Sequence, residues 1–580
     1  RAECTADGGT VRHEPSRRST SYGSLAAAAS RLSVPKNPPW RAREERRLIG
    51  KRVARVDGPA IVTGKAVYGL DARPAGALVA VIARPPVPGG KVLRVNDAKA
   101  KAVKGVRRVA RIPTGVAVVA DSTWAAMEGC EALEVTFDDG PNGSLDTAAL
   151  WKMLENGFAT SRNTRKEGDA DAALAAAVAN RKHQAEYRYP FQAHATLEPM
   201  NCVADARGGR CVLWCPTQAP NRVQGDVARA LGIAEEAVTV NVTLMGGGFG
   251  RRLGSDYAVE AAQLSKAIDA AVQVVYTRAD DFAEDYVHPA SIDRLSAALD
   301  EHGLPVAWSH TMCELHLTMF GNLDLEDKDT WEGSPWGGYD TPYRVPNLKV
   351  DYFPVASPVR TGAWRAVTYP PGVFARECFL DELAHLGGWD PLKYRLALLD
   401  GPDARVGRMI LERGRLRNVV ALAAQKAGWG TPLPKGQGRG LACNVYHGRT
   451  AVAQVAEVEV SPAGEVRVKR VVCAVDCGEV VNLWGLEAQF EGGVVWGLTH
   501  AAKSEVTYAK GRIQQTTFGD FPVLRIDEMP RVEVHVVPST RRPSGIGEQP
   551  VPPVAPAVAN AIFAATGKRI RSLPFGRPTP

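Results

Sequence analysis

Residues 238–252 read Val238-Thr239-Val240-Asn241-Val242-Thr243-Leu244-Met245-Gly246-Gly247-Gly248-Phe249-Gly250-Arg251-Arg252. The first seven alternate apolar and polar side chains, the two-residue period of a half-buried strand. The next segment puts four glycines in five positions. Such a run lets backbone approach a ligand closely and leaves amides free to point at it. Beyond it, Ser255 or Asp256 is placed to cap a helix whose apolar side carries Ala258, Ala261, Ala262 and Leu264. A glycine turn between strand and helix is α/β grammar, and it suits phosphate or oxyanion contact. It is not the dinucleotide fingerprint, because Arg251 stands where the third Gly of Gly-x-Gly-x-x-Gly belongs. Read alone, the turn either meets a nucleotide or other cofactor or is purely structural.

Working outward, 580 residues exceed one compact core, and roughly three or four domains are expected. Residues 1–47 read as a polar tail and one short helix, opened by Tyr22-Gly23-Ser24-Leu25 and ended by Pro35 and Pro38-Pro39. Residues 48–140 read as a small α/β unit, with strands over 77–82 and 115–120 and helices over 96–103 and 123–133. A linker with helical patches follows over 141–184, one of them at 170–179. A larger α/β domain is expected over 185–430 and a second over 431–580. In the latter, Val455–Val460 and Val466–Val472 pair across the turn Pro462-Ala463-Gly464.

Composition narrows the function classes. Hydrophobic residues are 45% and charged residues 23%, an ordinary globular balance, while 56 Gly and 40 Pro favour sites built on loops. The net charge of +8 is scattered; its densest runs, Arg41–Arg47 and Lys568–Arg571, have no interleaved aromatics and read as solvated surface rather than a nucleic-acid face. Ten Cys include no Cys-x-x-Cys pair, so free, mostly buried thiols are expected, and any iron–sulfur cluster belongs to another chain. No apolar run reaches the ~20 residues that span a bilayer. The first residue is Arg rather than Met, so a targeting segment ahead of it is left open.

Further motifs carry chemistry. In Gly545-Ile546-Gly547-Glu548-Gln549-Pro550-Val551-Pro552-Pro553 one carboxylate sits in a stiff loop before a helix with Pro556 in its first turn and Gly567 past its end. Such a carboxylate is either a solvated or capping residue, or a shielded general base. Thr217-Gln218 ends the apolar strand Cys211–Cys215. Trp364-Arg365-Ala366-Val367 precedes an amphipathic helix carrying Phe379, Leu383 and Leu386, which stops at Gly387-Gly388; Asp390-Pro391 caps the next. Asp476-Cys477-Gly478 with Asn482 leads to Gln489-Phe490-Glu491-Gly492-Gly493. Each is plausible as structure alone. His194 and Glu198 lack the His-Glu-x-x-His arrangement and read as structural at a bend before Pro199.

Taken together, these features resemble the large subunits of the molybdenum hydroxylases, the xanthine dehydrogenase and aldehyde oxidase superfamily, most closely the isoquinoline oxidoreductase beta-subunit type. The resemblance runs through Tyr22-Gly23, Ile49-Gly50-Lys51, Thr63-Gly64-Lys65-Ala66, His194-Ala195-Thr196-Leu197-Glu198-Pro199-Met200, Asp381-Glu382-Leu383-Ala384, and Phe563 to Pro574. It implies a multidomain fold of mixed α+β and α/β type: a small hammerhead-like domain, then two large molybdopterin-binding domains. It implies molybdenum held by a pterin dithiolene, as the cytosine dinucleotide, with no protein ligand to the metal. Glu548 matches the catalytic base, which takes a proton from a hydroxyl at the metal while a hydride leaves the substrate carbon. Phe249 and Gly250, with Gly247, Gly248 and Arg251 around them, match a loop beside the metal. Gln218, Arg365 and Gln489 match further cofactor contacts.

The family resemblance also implies partners: a small subunit with two [2Fe-2S] clusters, then an acceptor such as cytochrome c. Periplasmic export is the expected location, with the cytoplasm as alternative. Two departures stand out. Where purine-oxidising relatives carry a second carboxylate, this chain has Leu253, so an N-heteroaromatic or aldehyde substrate is expected in place of xanthine. A Glu-x-Gly-Gln-Gly cofactor loop lies, in this type, upstream of where the sequence begins; a separate chain supplies it, or the sequence is a fragment. Gly436-Gln437-Gly438 looks similar but follows Pro432-Leu433-Pro434-Lys435 and enters a strand-like region, so it reads as a decoy. The rival to an enzyme is a non-catalytic cofactor-binding scaffold, and the presence of Glu548 favours the enzyme.

Overall fold

The computed structural model describes residues 3–38, 41–159, 161–321 and 336–576. The chain divides into two compact units, Arg1–Lys51 and Arg52–Pro580. In the first, Cys4–Asp7, Thr10–His13 and Arg18–Ser21 form an antiparallel meander. Ser21 then caps the helix Tyr22–Ala29 by accepting from the Ser24 amide. The helix was expected and the strands were not. At four residues each they are too short for an alternation to register, and none of their residues is buried to mark a core face. Pro39 falls outside the described residues.

The second unit has the expected mixed α/β character. One seven-stranded sheet runs Val238–Val242, Cys211–Cys215, Asn201–Asp205, Val272–Val275, Leu78–Ala83, Gly115–Ala120, Val106–Ile112. Residues 48–140 thus contribute three strands to a sheet continued by residues beyond 185. A five-stranded sheet is built on the long antiparallel pair Ser291–Leu299 and Pro305–Leu315. A four-stranded sheet takes Gln437–Tyr446, Thr450–Val460, Val466–Asp476 and Arg531–Val536, with the expected hairpin joining its middle strands.

The helix Tyr369–Leu386 corrects the amphipathic reading. Every residue from Tyr369 to Ala384 is buried, so it has no solvent face. Its polar residues are matched internally rather than hydrated. Glu377, fully buried, accepts from Arg376 and Arg395 (both 3.1 Å) and from the Tyr343 hydroxyl (2.9 Å). Gly387 closes the helix, and Asp390 caps Pro391–Leu398 through the Leu392 and Lys393 amides, as the sequence indicated.

The decoy glycines have a packing role. Gly438 and Gly440 lie in the strand Gln437–Tyr446, where the helix Val554–Thr566 crosses. A Cβ at either would overlap that helix's backbone at Ala561 or Ala557. Helix and sheet therefore meet backbone to backbone. All ten cysteines are unpaired, eight of them buried. Among the described residues no helix is long and apolar enough to cross a membrane.

Candidate active site

The glycine turn sits where the sequence placed it, after the strand Val238–Val242 and before the helix Asp256–Ile268. Its shape is imposed from beneath. The Gly246 amide donates to Glu198 Oε2 (2.7 Å), and buried Arg252 donates to the carbonyls of Gly247 (2.8 Å) and Glu198 (2.9 Å). Gly247, Phe249 and Gly250 all adopt positive φ. At Gly250 glycine is obligatory, since a Cβ would overlap the Ala363 carbonyl oxygen. Neither candidate cap acts as one: the Ser255 hydroxyl turns to Asp226, and Asp256 pairs with Arg251.

Segment 363–367 faces the turn and is braced at both ends by buried imidazoles. His194 Nε2 lies 2.9 Å from the Ala363 carbonyl and its Nδ1 2.8 Å from Asp285. His288 Nε2 lies 2.8 Å from the Val367 carbonyl. Burial pushes His288 down to about 4, although its contacts with the Val367 and Pro289 carbonyls act the other way. Between these braces Ala366 and Val367 take φ of +78° and +49°. Left-handed backbone at non-glycine residues costs about 1–3 kcal/mol each and persists only where the surroundings fix it.

The base candidate comes from a third element, the loop before the helix Val554–Thr566. Glu548 Oε1 accepts from the Ala366 amide (3.1 Å) and Oε2 from the Tyr446 hydroxyl (2.7 Å). Gln549 Oε1 accepts from the Glu548 amide (3.0 Å), and Thr450 donates to the Gly545 carbonyl (2.7 Å). Half-buried Arg365 donates to the Gly547 carbonyl (2.6 Å) and to Gln489 Oε1 (3.1 Å).

Gln218, Phe249, Gly250, Arg365, Gln489 and Glu548 line one cavity of about 380 Å³. Leu253, Ala363 and Val367 give it apolar wall. That volume suits a small-molecule site. The Gly250 amide donates to Gln218 Oε1 (3.1 Å), joining the turn to Gln218. Gly247 and Gly248 stand behind this wall, Gly248 leaving room for the Gln218 side chain. Arg251 is turned inward: it is buried, donates to both Asp256 oxygens (2.9 and 2.7 Å), and lies over Tyr286. Likewise His194 and Glu198 bind backbone and side chains of the scaffold.

Molybdopterin cofactor-binding domain families match residues 155–398 and 410–530. Isoquinoline 1-oxidoreductase subunit beta of Brevundimonas diminuta is 30% identical, over 98% of this chain and 77% of that one. The chain belongs to the large subunits of the molybdenum hydroxylases. It is a molybdenum-dependent oxidoreductase. A membrane-bound aldehyde dehydrogenase [pyrroloquinoline-quinone] of Gluconacetobacter polyoxogenes is 31% identical over 92% of this chain and 73% of its own length. Quinoline 2-oxidoreductase from Pseudomonas putida 86 superposes with a TM-score of 0.76, covering 91% of this chain and 97% of that one at 16% identity, a likeness of fold.

The cavity of this molybdenum hydroxylase chain suits the family's cofactor on its own chemistry. Burial lowers Arg365 to about 10, so it remains a cation at neutral pH, and Glu548 acts on it only through space. Among the described residues no carboxylate is ion-paired with it. A cation without its own counter-charge, next to an amide side chain and a glycine turn, is matched to a polar, anionic group. Sequence reasoning missed Tyr446 and Trp496, which stacks on Phe249 at 4.0 Å, and it named Ala366 and Val367 without their strain. Neither Tyr446 nor Trp496 carried a sequence signal, since each acts through tertiary contact.

Proposed function

We propose that this chain is the catalytic subunit of a hydroxylase that inserts water-derived oxygen at an electron-poor carbon of an N-heteroaromatic or an aldehyde. The observation that carries this reading is Glu548, held on the cavity wall by two donors from separate elements, in a cavity that Leu253 also lines as an uncharged surface. The bound molybdenum cofactor supplies the activated oxygen and accepts two electrons. Glu548 removes the proton from the attacking oxygen, and its fixed geometry spares the cost of orienting it in the transition state. Arg365 and Gln489 would hold polar groups of the cofactor, and Gln218 with the Phe249–Gly250 backbone would offer further contacts to it. Leu253, Ala363, Val367 and Phe249 shed water and accept a flat, neutral substrate. An acidic purine finds no second carboxylate to orient it.

The finer assignments in this proposal are the cytosine dinucleotide form of the pterin, a small partner with two [2Fe-2S] clusters that takes the electrons to an acceptor such as cytochrome c, and a periplasmic location. A heteromeric assembly is supported by the subunit naming of the Brevundimonas relative. In the purified complex, Glu548→Gln is expected to cut turnover of isoquinoline, quinoline and aldehyde probes by about 10²–10⁴-fold. Molybdenum content should be unchanged. Turnover that survives the substitution removes Glu548 as the base.

A further inference from the structure

We propose that Tyr446 is a positioning residue for Glu548, holding the base in one orientation through its hydroxyl. The inference rests on the reading of Glu548 as the base, but it is carried by a separate piece of geometry. Tyr446 is the last residue of the strand Gln437–Tyr446, 5% exposed. Its ring lies against the fully buried Tyr369 ring (centroids 4.3 Å). Tyr369 is itself fixed: its hydroxyl donates to Asp340 Oδ2 (2.9 Å) and accepts from the His447 amide (2.8 Å). The phenol is therefore clamped before it reaches Glu548, and the bond it donates, 2.7 Å to Oε2, is the shorter of the two that hold the carboxylate.

A hydroxyl–carboxylate bond is electrostatically stronger in a low-dielectric surrounding than in water. Burial and the neighbouring Glu548 both push the Tyr446 phenol up, so it keeps its proton and stays a donor at every working pH. The other charged and titratable groups near Glu548 lie on its flanks. Arg365, on segment 363–367, is close enough to feel the Glu548 charge. His447 is lowered by burial and so adds little positive charge at neutral pH. Asp340, behind Tyr369, is raised by burial. Removing the hydroxyl alone leaves all of these in place.

The test is Tyr446→Phe in the assembled, cofactor-loaded enzyme, which keeps the ring and its contact with Tyr369. We expect kcat to fall about tenfold at the optimum with KM changed less than about twofold. A readout independent of turnover is the rate at which a carbodiimide labels Glu548 at fixed pH, followed by peptide mass spectrometry. A carboxylate released from the hydroxyl should label several-fold faster, with molybdenum content unchanged. An unchanged labelling rate overturns the proposal, as does activity lost only in step with molybdenum. If Tyr446→Phe does not accumulate folded, Tyr369→Phe takes its place. It loosens the clamp but leaves the Tyr446 hydroxyl, so it must raise the labelling rate by less; no change overturns the proposal. Retained turnover in Glu548→Gln defeats the base reading alone, because labelling reports the Tyr446–Glu548 link without catalysis.

Discussion

Two groups of arginines in this molecule live under opposite rules. In the interior, Arg376 and Arg395 are fully buried and share Glu377, which bridges the helices Tyr369–Leu386 and Pro391–Leu398 to the strand Gln437–Tyr446. Burial acts to lower both guanidinium groups, and the Glu377 charge outweighs it. At the cavity, Arg365 is desolvated too, yet its contacts are carbonyls and an amide side chain. Nothing outweighs the burial, and its pKa falls. The difference separates charge neutralised within the fold from charge that the fold leaves short of a partner. On the function proposed above, that second charge is the one a ligand would meet.

The sharpest way to break this contrast is Glu377→Gln. It removes the carboxylate that the two buried guanidinium groups share, leaving Arg395 only Asp381 at 4.0 Å, and about 3–5 kcal/mol of stability should be lost. Denaturant unfolding of the cofactor-free chain measures it, and a loss under 1 kcal/mol would show that the interior pairs are not structural charge. Next comes a pH test at Glu382. Burial would raise this carboxyl, but bonds from His183 (2.6 Å), Arg571 (2.6 Å) and Tyr187 (2.7 Å) win and hold it at about 2, against 4.5 when free. A depressed acid contributes stability that is complete above pH 4.5 and drains away as the pH falls towards 2. It amounts to about 3 kcal/mol at neutral pH. Subtracting the stability curve of Glu382→Gln from that of the native chain should isolate that window; a flat difference refutes the assignment. The smallest effect on stability is expected at Arg365. Arg365→Met should leave the cofactor-free protein within about 1 kcal/mol of native, or more stable, because an uncompensated cation is removed. The same variant should retain less molybdenum and pterin after purification. Equal losses of stability and cofactor would erase the distinction drawn here.

What was legible in the sequence divides along similar lines. Local rules were readable: the period-2 run before Gly246, the cap at Asp390, the hairpin around Pro462-Ala463-Gly464, and the helix closed by Gly567. The candidate residues Gln218, Phe249, Gly250, Arg365, Gln489 and Glu548 follow from resemblance to relatives rather than from spacing. They lie up to several hundred residues apart, and the structure sets them around one cavity. Three things could not be read. The helix Tyr369–Leu386 keeps charged residues inside because their partners come from distant strands, which periodicity cannot register. Arg251 follows the glycine turn yet serves Asp256. Tyr446 looks like any strand-terminal aromatic until the loop 544–550 is folded over it.

Gly438 and Gly440 have one more consequence. The acid sits six residues ahead of a rod that meets its sheet directly where Gly438 and Gly440 pass beneath it. The height of that rod is set there by main-chain contact. A side chain added at either position would lift the rod, and the loop that carries Glu548 with it.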